Sequence, residues 1–349
     1  MTTDPAYQKV TIERIIEEAP EVKTFVLRPE RGVQYKAGQF LTFVFDDLQG
    51  EERRSYSFSS SPEVDNHLSI TIKRVTNGKY SRPLIDNAQE GVELVTSGVS
   101  GLFTIPPDID KYRQVFFFAA GIGITPVYSL IKSLLSTHPS IEVILIYSNS
   151  SIADTVFYQE LLELHHRYPE QLRLEFLISS SVNLSRARLS KWLLPQLVNI
   201  YGKAERHEQL FYTCGPFAYM RMVTIALEEM RYSKDQVKKE IFDTTRPVFK
   251  LTPPDTDEHQ VTIIAGGEAK SFSVRYPTTI VRAAKENGIA LPYSCEAGKC
   301  GSCIMQCTEG RAWMSYNEVL TEKEVAEGKI LSCVAYPIAG DLVLTDANS

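Results

Sequence analysis

Four cysteines near the carboxyl terminus constrain this chain more than any other feature. Cys295, Cys300 and Cys303 follow the spacing C-x4-C-x2-C, and Cys333 comes after 29 further residues. This is the spacing of the thiolate ligands around a plant-type 2Fe–2S cluster. Thiolates are soft, anionic ligands that suit iron–sulfur clusters. We therefore predict that these four residues hold such a cluster.

A structural zinc site is the alternative for a group of cysteines. Zinc sites usually pair two Cys-x(2–4)-Cys knuckles, whereas Cys333 stands alone. Gly298 and Gly301, which lie between the first three cysteines, let the backbone wrap closely and point N–H groups at sulfur. The pattern favours the iron–sulfur cluster, and Cys307 is expected to be a buried non-ligand.

Charge and composition exclude several classes of function. The chain has 349 residues, a net charge of −6 and no block of Lys or Arg, which argues against a nucleic-acid partner. The most apolar stretch, residues 115–131, is short and contains Gly121, Gly123 and Pro126, so we predict no membrane insertion. No secretory signal pattern precedes the cysteines, and we expect a reducing cytoplasm.

The local patterns divide the chain into segments. Regular short strands with turn signals up to about residue 105 predict an antiparallel β-barrel domain over residues 1–109. Strands that alternate with helices predict an α/β domain with a parallel sheet over 110–246. A polar, Pro-containing linker is predicted at 247–258, and the cysteine-bearing domain at 259–349.

Two motifs in the first segment suit an anionic cofactor. Arg54-Ser-Tyr56-Ser57 follows an apolar strand, and an ordinary barrel strand with a charged edge is the alternative reading. Gly78-Lys79-Tyr80-Ser81 opens a short helix, whose free N–H groups favour a phosphate. A simple helix cap would have a similar sequence.

Two further motifs stand at strand-to-helix turns of the predicted parallel sheet. Gly121-Ile-Gly123-Ile-Thr125-Pro126 has two glycines that allow a diphosphate to approach the backbone, and its proline suits a first helical turn. Cys214-Gly215-Pro216 follows another strand. Ligands of α/β sheets bind in such crevices at the carboxyl ends of strands.

The order of these motifs resembles that of the ferredoxin–NADP reductase superfamily, and the last segment resembles a plant-type ferredoxin with an α+β β-grasp fold. Together they resemble the reductase components of bacterial multicomponent oxygenases. The layout is nearest to the reductase subunit of the phenylacetyl-CoA ring-epoxidase.

The resemblance implies roles for individual residues. Arg54 would pair with the flavin phosphate, Tyr56 would pack on the flavin ring, and Ser57 would lie near its reactive nitrogen. Ser57 and Cys214 are the predicted catalytic positions. The remaining residues implied to bind the flavin or the nicotinamide nucleotide are Thr71, Ile72, Lys73, Gly78, Lys79, Tyr80, Ser81, Gly121, Gly123, Thr125, Pro126, Gly215, Pro216 and Phe242.

The nucleotide preference rests on a departure from the family pattern. NADP-preferring relatives commonly carry arginines near two strand ends where this chain has Ser150 and Ser179-Ser180-Ser181. A 2′-phosphate requires a cation. Arg186 and Arg188 lie downstream and could substitute. We expect NADH, with NADPH open, and FAD in preference to FMN.

The resemblance implies electron transfer within one polypeptide. NAD(P)H would pass a hydride to FAD, and the 2Fe–2S cluster would pass single electrons to a protein acceptor, an oxygenase component. A reductase for a hybrid-cluster protein, a haem protein or a desaturase is the second hypothesis. The third is a redox-sensing subunit that does not turn over NAD(P)H.

Overall fold

A computed structural model describes residues 7–47, 50–242 and 251–346, and the chain divides into two compact units, Met1–Ile241 and Phe242–Ser349. Residues 247–250 of the predicted linker lie outside the described residues. The predicted domain limits stay predictions.

The first unit begins with an antiparallel sheet of six strands in the order β4-β3-β6-β1-β2-β5. The strands are β1 (Gln8–Ala19), β2 (Val22–Pro29), β3 (Phe40–Asp47), β4 (Gly50–Ser57), β5 (Leu68–Lys73) and β6 (Glu93–Ser100), and helix α1 (Ser81–Asn87) follows β5. Val10 and Ile12 of β1 are fully buried, which gives the alternation of a strand with one face on the core. A bridge from Phe58 to Ile70 joins the two edges of the sheet.

The second sheet of this unit is parallel and has five strands in the order β11-β10-β7-β8-β9. Its strands are β7 (Gln114–Ala120), β8 (Glu142–Asn149), β9 (Leu172–Ile178), β10 (Gln209–Cys214) and β11 (Val237–Glu240). Its helices are α2 (Ile124–Thr137), α3 (Tyr158–Arg167), α4 (Leu193–Tyr201) and α5 (Phe217–Glu229). Every residue of β7 is buried, as expected for the central strand of a parallel sheet.

Helix α2 joins the two sheets of the first unit. Its apolar side chains Val127, Leu130 and Leu134 are fully buried in one core with Phe103, which follows the barrel, and Val22 of β2. Because the barrel and the parallel sheet share this core, α2 is held against both.

The second unit contains a five-stranded sheet in the order β13-β12-β18-β14-β16 and a two-stranded sheet of β15 and β17. The strands are β12 (His259–Ala265), β13 (Glu268–Val274), β14 (Ile304–Glu309), β15 (Ala312–Met314), β16 (Lys329–Leu331), β17 (Ala335–Pro337) and β18 (Leu342–Asp346), and the helices are α6 (Ile280–Glu286) and α7 (Glu322–Ala326). Strands β12 and β13 form an antiparallel hairpin. The sheet and α6 agree with the predicted β-grasp class.

Helix α4 begins at Leu193, whose N–H donates a hydrogen bond to the Ser190 hydroxyl at 3.1 Å. Helix α2 begins at Ile124, so Pro126 lies in its first turn, where helical N–H groups lack partners. Within the described residues, no helix combines the length and hydropathy needed to cross a membrane.

Candidate functional site

The two phosphate motifs of the barrel lie side by side. Arg54 Nη2 lies 2.7 Å from the Glu52 carboxylate, and Lys79 Nζ pairs with the same carboxylate. The Arg54 guanidinium lies 5.1 Å from the ring centroid of Tyr80, which stacks on Phe45 at 4.2 Å. Hydrogen bonds from Lys79 and the charge of Arg54 lower the pKa of Glu52. Two cations beside one carboxylate leave net positive charge, which fits a flavin phosphate.

Ser81 and Gly78 have a structural role in the same loop. The Ser81 hydroxyl is buried and accepts a hydrogen bond from the Val75 N–H at 3.3 Å. A Cβ on Gly78 would stand 2.3 Å from that hydroxyl oxygen. The turn before α1 therefore needs glycine, and Ser81 uses its hydroxyl to hold the backbone.

The strand predicted to contact the flavin through its backbone is an edge strand. Among the described strands, β5 pairs along its length only with β2, apart from the bridge at Ile70. The Thr71 hydroxyl is 2.7 Å from that of Thr24, Ile72 is buried and Lys73 is exposed. The open edge of β5 beyond Ile70 leaves peptide groups available to a ligand, which fits the predicted role.

The two nucleotide motifs contact one another at the carboxyl edge of the parallel sheet. Ala119 of β7 is in register with Cys214 of β10. A Cβ on Gly123 would lie 2.3 Å from the Cys214 carbonyl oxygen and 2.7 Å from the Gly215 nitrogen, so only glycine fits there. Gly121 has φ +53° and faces open space. Thr125 is buried and donates its hydroxyl to the Ile122 carbonyl at 3.0 Å.

Three side chains with buried polar atoms lie at the same edge. Ser148 and Asn149 at the end of β8 interact with the hydroxyls of Tyr219 and Tyr147, and Thr213 Oγ1 of β10 is buried without a hydrogen-bond partner among the described residues. Buried polar groups are normally satisfied, so the Thr213 hydroxyl fits a ligand at this edge. With open space at Gly121, this edge fits a nicotinamide nucleotide.

A buried polar group that the sequence motifs did not include lies next to the predicted catalytic positions. Glu240 ends β11 in register with Cys214 and accepts a hydrogen bond from the Ser57 hydroxyl at 3.2 Å. Burial raises the pKa of Glu240 to about 8, and the Ser57 hydroxyl partly opposes this. Burial, and then the neighbouring Glu240, raise the pKa of Cys214, so its thiol stays neutral. Ser57 and Cys214 therefore lie beside the same neutral carboxyl group. In the sequence, Ser57 precedes Glu240 by 183 residues and Cys214 precedes it by 26.

Tyr56 and Pro216 complete the predicted residues of this unit. Tyr56 is half-buried in β4, opposite Leu41 of β3, and burial raises its pKa. Pro216 is exposed and directly precedes α5. Neither position conflicts with the predicted contacts.

The four cysteine thiols converge in the second unit. Cys303 Sγ lies 3.1 Å from Cys333 Sγ, too far for a disulfide bond. The thiols of Cys300 and Cys333, with backbone N–H groups of Lys299 and Ala297, lower the pKa of Cys295. The Ala297 N–H donates to Cys295 Sγ at 3.4 Å, as predicted for a loop that directs N–H groups at sulfur.

The loop around the thiols is fixed by backbone contacts. The Ser332 hydroxyl donates to the Cys303 carbonyl at 2.8 Å, which ties the isolated fourth cysteine to the first three. Gly298 has φ +68°, and a Cβ there would stand 2.9 Å from the Tyr316 carbonyl oxygen. Glu296 also has a positive φ, of +47°.

The donor set fits a 2Fe–2S cluster. Such clusters are held by four cysteine thiolates, and four cysteine thiols come together here. Cys307 lies on β14, where its thiol faces the Glu309 and Gly310 carbonyls at 3.6 and 3.7 Å. It is half-buried, and its predicted role as a non-ligand stays a prediction.

Phe242 is 43% exposed and directly follows the first unit. Its predicted place near the flavin stays a prediction.

Comparison with family models matches all three predicted domains. Residues 9–105 match an oxidoreductase FAD-binding domain, 117–224 an oxidoreductase NAD-binding domain, and 263–337 a 2Fe-2S iron-sulfur cluster binding domain. The glycine betaine monooxygenase reductase subunit of Pseudomonas aeruginosa strain UCBPP-PA14 is 32% identical over 95% of this chain and 93% of its own length. The chain belongs to this family of oxygenase reductase components. It is an NAD(P)H-dependent oxidoreductase with FAD, NAD and 2Fe–2S domains.

Two further relatives cover almost the whole reductase chain. A component of the 1,2-phenylacetyl-CoA epoxidase of Escherichia coli K12 is 28% identical over 99% of this chain and 98% of its own length. The solved structure of a phthalate dioxygenase reductase has a TM-score of 0.60 at 24% identity and covers 98% of both chains, which supports the fold. The predicted resemblance to oxygenase reductases, including the epoxidase reductase, is confirmed.

Proposed function

We propose that this chain takes a hydride from NADH where the barrel meets the parallel sheet. It then delivers single electrons to an oxygenase component in the cytoplasm, through the cluster held by Cys295, Cys300, Cys303 and Cys333. When bound, FAD would accept one hydride, which carries two electrons, and the 2Fe–2S cluster would pass these electrons on one at a time. The main support for this proposal is the buried hydrogen bond between Ser57 and Glu240, which lies beside Cys214. This bond brings the Arg54–Ser57 motif of the barrel to the carboxyl end of β10.

The chain's own residues position the reactants in this proposal. Arg54 and Lys79 hold the flavin phosphate in place of Glu52, and the loop around Gly121 receives the diphosphate of NADH. Glu240 keeps its proton at neutral pH, so no negative charge stands beside Ser57 and Cys214. Correct placement of two reactants is a large part of the rate of such a step.

For the protein that accepts the electrons, only its class is proposed. The relatives above are named for glycine betaine monooxygenase and for phenylacetyl-CoA epoxidase, at 32% and 28% identity. These names belong to different oxygenases, and identities this close favour neither for this chain. The proposal therefore covers an oxygenase component without naming its substrate.

We also propose that NADH is preferred to NADPH. Asp154, just past β8, accepts a hydrogen bond from the Ser151 hydroxyl at 2.7 Å and would repel a 2′-phosphate. Arg186 pairs with Glu175 at 3.3 Å. Arg188 Nε donates to Ser179 Oγ at 3.3 Å, which places this cation at the serine run 179–181.

Steady-state kinetics test this preference. The ratio of kcat/KM for NADH over NADPH should exceed one in the wild type and fall in Asp154→Asn, while Arg188→Ala leaves kcat/KM for NADH unchanged. Preferred use of NADPH that Arg188→Ala abolishes would show the preference to be wrong.

Cofactor analysis and reconstitution test the main function. The purified chain should contain FAD, and two irons with two acid-labile sulfides per chain. NADH should reduce it, and it should then support turnover of an oxygenase component recovered from the same host. Bound FMN, or a flavin that NADH leaves oxidised, would contradict the proposal.

A further inference from the structure

A buried ion pair links helix α2 to the loop that follows β4. Lys132 of α2 is 8% exposed and pairs with Asp65, whose side chain is 19% exposed. The Lys132 ammonium also lies 4.5 Å from the ring centroid of Tyr128. Taking two charges out of water is costly, and apolar replacements of such pairs are often neutral or stabilising. Stability alone therefore does not explain this pair.

Asp65 also contacts the residues that directly follow β4. Its carboxylate accepts a hydrogen bond from the Ser61 N–H at 2.7 Å, and its own N–H donates to the Ser61 carbonyl at 2.8 Å. Ser61 is fully buried and lies four residues after Ser57. Asp65 thus fixes the chain just beyond the Arg54–Ser57 motif.

A second link joins the same helix face to the same segment. The Ser129 hydroxyl donates to the Ser60 carbonyl at 2.5 Å, and Ser60 Oγ is 2.7 Å from the Tyr35 hydroxyl. Ser129 and Lys132 are three residues apart, so they lie on one face of α2. Two buried polar links therefore hold one helix face to residues 60–65.

Helix α2 carries this constraint to the nucleotide motif. It begins at Ile124, directly after Gly123, which packs on the Cys214 backbone. Lys132 lies eight positions after Ile124 on the helix, a rigid span of about 12 Å. A displacement at Lys132 would therefore move the loop that receives the nucleotide relative to the end of β4.

We propose that Lys132 and Asp65 form a positioning clamp that sets the nucleotide loop at Gly121–Gly123 against the end of β4 at Ser57. The two residues act through α2 and residues 60–65 and touch neither cofactor. This inference rests on the proposed function, because the reaction to be positioned is hydride transfer between the two motifs. Misplacement by about 1 Å far from the chemistry can cost about a hundredfold in rate.

The test uses the full chain with its cofactors and four variants. Asp65→Asn and Lys132→Met each remove one charge, and the double variant restores charge balance without the ion pair. Lys111→Met is the matched control, because Lys111 also has an aspartate partner, Asp108 at 2.5 Å, and a tyrosine ring at 4.9 Å, but is exposed. The readouts are the limiting anaerobic rate of flavin reduction, the dissociation constant of NADH, the thermal midpoint, and amide hydrogen exchange.

The clamp predicts that the thermal midpoint and the rate of flavin reduction respond differently to these substitutions. Both single variants should lower the limiting rate by about tenfold or more with little change in NADH affinity. Exchange should rise in the segments 58–66 and 121–135, while Lys111→Met stays at wild-type values. The double variant should regain the thermal midpoint but not the rate, since charge balance stabilises the fold without fixing the helix.

Three results would overturn the clamp: a double variant with the wild-type rate, single variants with wild-type rate and exchange, or an equal effect of Lys111→Met. If NADH and NADPH both fail to reduce the wild-type flavin, the proposed function is wrong instead. Hydrogen exchange still decides whether the ion pair holds the two segments together.

Discussion

Replacement of Glu240 by glutamine tests the buried carboxyl beside Ser57 and Cys214. Glu240 is 8% exposed, and burial raises its pKa from 4.5 to about 8. A carboxyl with a raised folded-state pKa binds more protons in the folded than in the unfolded chain within this window. The contribution of Glu240 to the free energy of unfolding therefore falls as the pH rises from about 4.5 to about 8.

The size of this effect follows from the two pKa values. They differ by about 3.5, and each pKa unit corresponds to about 1.4 kcal/mol. Between pH 4.5 and 8 the wild type should lose about 4 kcal/mol of unfolding free energy relative to Glu240→Gln. For a unit of this size that is roughly 8–16 °C in Tm. Glutamine keeps the shape and an oxygen acceptor for the Ser57 hydroxyl, so the difference isolates the charge.

Urea unfolding at pH 5, 6, 7 and 8 measures this difference for the wild type and Glu240→Gln. The exposed Glu30→Gln serves as the control for loss of one surface carboxylate. The stability difference between Glu240→Gln and the wild type should grow with pH, and that for Glu30→Gln should stay nearly constant. If the stability difference between Glu240→Gln and the wild type does not change with pH, the Glu240 carboxyl is not held neutral by burial.

Five further substitutions, in three experiments, test other parts of the site. Cys300→Ser should abolish the 2Fe–2S absorption while NADH still reduces the flavin, and Cys307→Ser should keep the cluster; iron analysis of both decides whether Cys307 is a ligand. Gly123→Ala should cost about 1–3 kcal/mol and weaken nucleotide binding, because its Cβ would stand 2.3 Å from the Cys214 carbonyl oxygen, whereas Gly32→Ala, in open space, should be neutral in urea unfolding. Cys214→Ala should slow flavin reduction about tenfold, which corresponds to an activation free energy higher by about 1.4 kcal/mol, without release of FAD. Reduction at the wild-type rate in stopped flow would show that Cys214 has no role in this step.

The parts of the fold that local patterns encode were predictable. The apolar run 115–119 lies in β7 of the parallel sheet, and the alternation of strands and helices predicted that sheet. The cysteine spacing identified the four thiols that the structure brings together. Each of these signals lies within a short stretch of sequence.

The parts that depend on distant contacts were missed. Strand β11 (Val237–Glu240) reads Val-Lys-Lys-Glu and has no strand pattern of its own, because its pairing with β10 creates it. Glu240 was overlooked for the same reason: only the fold buries it beside Ser57. An acidic residue directly before the apolar Ile241 was the one available signal. The ion pair of Lys132 and Asp65 spans 67 residues and has no local signature.

Anaerobic mixing with NADH tests the central claim, that electrons pass from the nicotinamide through the flavin to the cluster within one chain. We predict that the flavin absorption bleaches first and that the cluster absorption then falls in the same molecules, with a rate that does not depend on protein concentration. Bleaching of neither group, or of the flavin alone with an intact cluster, would contradict the account.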